Sequence, residues 1–160
     1  WWFVGGRMVP GERPHEAATR HLKRELGFSL SDHEFETVGH YSYVWQFRSQ
    51  PPADHGTADI STVVSTRVTA TEAAAFVFDD KEYCDHKWVP IREIPADSSL
   101  HPALRRSTSD MLTRSVFRRM QGAVAAAASD AEVASLAREM VRVHADAVAL
   151  PTEVAVVATL

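Results

Sequence analysis

Apolar and polar positions change their period several times along the chain, and each change marks an element. Residues 1–4 form an apolar run that reads as a strand entering a glycine loop over 5–11, where backbone freedom is needed. From Pro14 the period becomes helical. Pro14 suits the first helical position, Glu16 the positive first turn and Gly27 the stop, which predicts a helix over 14–26. Ala17, Ala18, Leu22 and Leu26 supply its apolar positions, with Ala18/Leu22 and Leu22/Leu26 as i, i+4 pairs of a buried stripe. His21 and Glu25 share another face, one able to turn toward the glycine loop.

Residues 34–48 interleave Phe, Val, Tyr and Trp with polar positions and predict one long strand or two. A turn-rich loop over 49–59 leads to a second strand over 60–68, a short helix over 71–75 and a strand over 86–91. After a turn through Pro95, a helix begins at Pro102 and runs to about Gly122, with Leu104, Met111, Leu112 and Val116 inward. An alanine-rich stretch follows at 123–128. Ser129 and Glu132 then form a capping box for a helix to Val148, in which Val133, Leu136, Met140 and Val143 keep helical spacing. The expected organisation is a main domain over 1–122, an added C-terminal helix over 123–148 and a flexible tail over 149–160, whose Val-rich run would otherwise pair as an edge strand.

Composition narrows the picture. With 160 residues, 45% of them hydrophobic and 24% charged, the chain has the length and balance of one soluble domain with a real core. A net charge of -4 provides no general field for nucleic acid. Arg105, Arg106, Arg114, Arg118 and Arg119 read as a solvated helical face, since no nucleic-acid reading motif accompanies them. A single cysteine, Cys84, excludes an internal disulfide and suits a reducing compartment, so a cytoplasmic location is expected. No stretch approaches the roughly 20 apolar residues of a membrane span.

The chemistry concentrates in GGRMVPGERPHEAATRHLKRELGF, residues 5–28, where Gly6, Glu12, Arg20, Leu22, Glu25, Gly27 and Phe28 fall in register with one another. That run resembles the Nudix box, GX5EX7REUXEEXGU, with U a bulky aliphatic or aromatic residue. His21 and Arg24 stand where the pattern has glutamates. The resemblance implies an α+β fold, a Nudix-like α/β/α sandwich with a mixed sheet, here carrying an extra C-terminal helix. Strands that precede the box in such proteins are not in this sequence, so the fold is expected to be N-terminally truncated. The resemblance also implies a metal-dependent hydrolase of a nucleoside diphosphate linked to another moiety. A Nudix-like module that senses a nucleotide or sugar without turnover is the alternative that the two substitutions favour. Nudix-like proteins are often dimers, so a homodimer built on the added helix is one expected form.

GDP-mannose mannosyl hydrolases, a branch that cleaves a carbon–oxygen bond, also lack two box glutamates. Further similarities are WFVGGRM, HGTADIST and the spacing from Glu82 to Trp88. By this resemblance, Glu25, Glu82 and the carbonyl of Gly5 hold Mg²⁺ or Mn²⁺, hard ions that one or two carboxylates with waters can satisfy. The branch's histidine base falls at Tyr83, which leaves His86 as its nearest substitute. Arg7 either reaches a diphosphate or is plain surface, and Arg20 either supports phosphates or pairs with Glu12 to tie loop to helix. His21, one turn before Glu25, either contacts the ion or its water or is a surface histidine. Arg24 lowers cation affinity or instead holds a substrate phosphate. Cys84 and His86 are too few for a metal site by themselves. Tyr41, Tyr43, Trp45 and Phe47 alternate on one strand face and read as core before they read as a stacking platform.

Overall fold

The computed structural model describes residues 3–30, 35–45, 54 and 56–148. They divide into two compact units, one drawn from residues among 3–39 and 62–89, the other from residues among 40–61 and 90–148.

In the first unit, α1 (Pro14–Leu26) has the predicted bounds. The Glu16 carboxylate accepts from the Arg13 backbone N–H at 2.6 Å and from its guanidinium at 2.8 Å, which closes the positive end. Gly27 ends the helix at φ 63°, and its N–H donates to the Leu22 carbonyl. Ala17, His21, Glu25 and Leu26 are the buried residues, so a partly ionic face points inward beside the expected apolar stripe. The following segment caps the helix end, because the Val77 and Asp79 N–H groups donate to the carbonyls of Leu26 (3.0 Å) and Glu25 (2.9 Å). A short helix, α2 (Ala70–Ala74), is closed by Thr69, whose hydroxyl accepts from the Glu72 N–H.

Strands β1 (Glu36–Trp45) and β2 (Thr57–Ser65) form the one sheet among the described residues. The Ser65 hydroxyl donates to the Glu36 carbonyl at 3.5 Å, which sets the end of one strand beside the start of the other. Both strands run through the two units. The α+β character matches expectation; among the described residues the sheet has two strands, fewer than the mixed sheet of the expected sandwich. Phe3 and Val4 are not in a strand, and the segment expected as a strand over 86–91 is irregular. Pro90 lacks a ladder donor, and its carbonyl instead accepts from the Glu93 N–H at 2.8 Å to start a run of turns.

The second unit holds α3 (Pro102–Ala125) and α4 (Asp130–Val148), which pack against each other. α3 continues past Gly122 and ends in a turn with Ala127 at φ 52°. Its inward residues are Ala103, Ser107, Thr108, Ser109 and Val116; of the expected set, Val116 is fully buried while Leu104, Met111 and Leu112 are half-buried. Leu136 and Val143 of α4 are buried as expected. Tyr41 and Tyr43 stack with centroids 6.3 Å apart, and the Tyr41 hydroxyl donates to Asp110 at 2.9 Å, a core arrangement. Burial, then the Asp110 charge, pushes the Tyr43 phenol up to about 12. The arginines of α3 do not form one stripe. Arg105 donates to the Pro95 carbonyl, Arg106 pairs with Asp110 and Arg119 with Glu139. Phe47 and the tail over 149–160 lie outside the described residues.

Candidate active site

All the site residues singled out in the sequence belong to the first unit. The loop over 5–12 is held by one fork. Arg20 donates through Nε to Glu12 Oε1 and through Nη2 to Glu12 Oε2, both at 2.8 Å, and Nη2 also donates to the Arg7 carbonyl at 2.9 Å. Glu12 Oε2 further accepts from the Val9 N–H at 3.0 Å. The Arg20 hydrogen bond first, then the Val9 N–H, lowers the Glu12 carboxyl from about 4.5 to about 2. Arg20 therefore ties loop to helix, and it does so through Glu12 and the backbone carbonyl of Arg7.

His21 spans the gap between loop and helix. It is 3% exposed, with Nδ1 2.9 Å from Glu25 Oε1 and Nε2 3.2 Å from the Arg7 carbonyl. The ring fills the space beside Gly6, where an added Cβ would lie 2.1 Å from Cε1. Only glycine lets the loop approach so closely.

Glu25 is 1% exposed, and protein donors meet both of its oxygens. Oε1 takes His21 Nδ1 and the Arg24 guanidinium; Oε2 accepts from the Tyr83 hydroxyl. Nη2 of Arg24, the atom on Glu25, also lies 3.6 Å from Glu82 Oε1. Two carboxylates thus meet at one positively charged nitrogen. Burial, then the hydrogen bond to Glu25, raises the Tyr83 phenol, so at neutral pH it is a donor and not a base. Resemblance alone singles out Tyr83 in the sequence, and its bond to Glu25 has no local signal. Phe78, unremarked in the sequence, stacks on His86 with centroids 3.8 Å apart and meets Tyr83 edge-on at 6.1 Å. Gly5 is exposed beside Gly6.

The guanidinium nitrogen stands in for a small cation, and that supplies the test of whether a divalent ion suits the site. Glu25 and Glu82 already converge on one positive charge through hard oxygen donors, a set that Mg²⁺ or Mn²⁺ accepts when waters and phosphate oxygens complete the shell. The set is lean: no group of three or more His, Cys, Asp or Glu is placed to hold an ion among the described residues. Cys84 is exposed and joins no such group. Nor is any described helix long and apolar enough to cross a membrane.

The family model described as NUDIX domain matches residues 1–111. No curated protein and no solved structure matches the chain.

Proposed function

Because this chain belongs to the NUDIX domain family, whose members hydrolyse nucleoside diphosphate derivatives and generally use divalent metals, we propose that it is a metal-dependent hydrolase acting on a nucleotide sugar. The observation that carries the reading is the convergence of buried Glu25 and exposed Glu82 on a single cation position. Glu25, Glu82 and the Gly5 carbonyl would hold Mg²⁺ or Mn²⁺, which when bound neutralises diphosphate oxygens and polarises the bond to be cut.

The chain's own groups prepare that position. Arg20 and Glu12 fix the loop through the Arg7 carbonyl, and His21 locks the loop to Glu25, so the carboxylate is held before substrate arrives. Tyr83 orients the other carboxylate oxygen. The Arg7 side chain, exposed on the loop, meets the phosphates. His86, exposed and held flat on Phe78, is the proton acceptor for the attacking water. The protein works in the cytoplasm and binds a small nucleotide, with a homodimer as its assembly.

A second reading, a binding module without turnover, is favoured by one observation: Arg24 occupies Glu25 Oε1. Hydrolysis of GDP-sugars, ADP-ribose and dinucleoside polyphosphates with Mg²⁺ or Mn²⁺ separates the two. Turnover of a GDP-sugar that falls in Glu25→Gln by more than the roughly 10–100-fold cost of losing an outer-shell partner supports the enzyme. Silence on every substrate, with a nucleotide still bound, establishes the module.

A further inference from the structure

Arg24 is half-exposed, and its Nη2 lies on Glu25 Oε1 and 3.6 Å from Glu82 Oε1. A divalent ion held by the same two carboxylates would share that space with a like charge. We infer that Arg24 is a resident cation which the divalent ion displaces, and that the freed guanidinium then becomes a ligand for the substrate's phosphate. This rests on the proposed metal site and adds an exchange step to it.

The physical argument has three parts. A carboxylate as buried as Glu25 needs a positive partner or a set of donors, and without metal Arg24 supplies the charge. Oε1 already accepts from both His21 and Arg24, so a metal bond to it requires one donor to leave. His21 lies on Glu25 through Nδ1 and is enclosed beside Gly6, whereas Arg24 has a flexible stem open to water. Arg24 is the donor free to go. An anion with several oxygens is the natural acceptor for a displaced planar guanidinium. Metal and diphosphate then assist each other, since the first releases the group that binds the second.

Mn²⁺ titration by calorimetry on the whole protein tests the exchange. Arg24→Gln should bind Mn²⁺ about tenfold more tightly than the unaltered protein, the effect of removing one nearby like charge in a water-like dielectric. Lys23→Gln, which removes the same charge from an exposed neighbour on α1, should leave the affinity within about twofold. Equal affinity in Arg24→Gln and the unaltered protein overturns the inference while leaving the metal site standing. No Mn²⁺ binding by either protein overturns both.

A second measurement needs no variant. Modification of Arg24 by phenylglyoxal, followed by peptide mass spectrometry, should speed up on adding Mn²⁺ as the side chain leaves the carboxylates. It should slow again when α,β-methylene-ADP is added with Mn²⁺ in excess. An unchanged rate with Mn²⁺ overturns the displacement, and a rate unaffected by the analogue overturns the phosphate role.

Discussion

At Gly6 the absence of a side chain determines what His21 can do. The imidazole cannot yield to a new methyl group without losing its contacts to Glu25 and the Arg7 carbonyl. Gly6→Ala should therefore destabilise by about 1–3 kcal/mol, the usual cost of overpacking a filled site, and should shift the His21 ring resonances in an NMR spectrum. Unmoved resonances would mean that the loop simply retreats. Glu12 carries a pH dependence. Its carboxyl is depressed from about 4.5 to about 2, so its contribution is complete above the unfolded value and fades as the pH falls through that range. The melting temperature of Glu12→Gln should lie below that of the unaltered protein at pH 7, and the gap should close by about pH 2. A gap independent of pH would assign the loss to shape instead of charge.

Among the elements, α1 and α4 show how local rules and packing divide the work. α1 begins and ends on Pro14, Glu16 and Gly27, groups that act within a turn of their own position, so its bounds were readable in advance. Its buried face was only partly readable, because His21 and Glu25 count as polar in any periodicity, yet the glycine loop encloses the first and Tyr83, 58 positions on, meets the second. The segment over 86–91 failed for a related reason. Its apolar content suggested a strand, but Pro90 and the turn at Glu93 withhold the ladder. α4 is amphipathic, and Leu136 is buried in the unit where it packs with α3. Leu136→Ala should cost about 2–5 kcal/mol in urea unfolding, whereas Ser135→Ala on the exposed face should stay within about 0.5 kcal/mol. Equal effects would show that α4 contributes no packing to its unit.

For the whole molecule, the proposed metal site predicts a thermodynamic response that needs no substrate. A ligand binding only the native state adds about 2.7 kcal/mol at a hundredfold excess over its dissociation constant. In a chain of this length each kcal/mol moves the melting temperature by about 2–4 °C. Saturating Mn²⁺ should therefore raise it by several degrees in the unaltered protein and leave Glu25→Gln unmoved. A rise that persists in Glu25→Gln would place the ion elsewhere. Since the site residues all belong to one of the two units, that unit's transition is the one expected to move.

The amino-acid order alone determined the start and stop of α1, the Ser129 hydroxyl that accepts from the Glu132 N–H at the start of α4, and the register of Gly6, Glu12, Arg20, Glu25 and Gly27, because helix ends and loop spacing are set by neighbours a few positions away. It also set the Arg24 cation next to the Glu25 carboxylate in the chain. Folding decided the rest: that the Tyr83 hydroxyl meets Glu25 across 58 positions, that Arg24 lies between two carboxylates, and that Gly6 makes room for His21. The meetings at Glu25 and Arg24 depend on how the segment over 77–83 packs against the end of α1, and that at Gly6 on the loop before it; periodicity carries no information about contacts between distant stretches of chain.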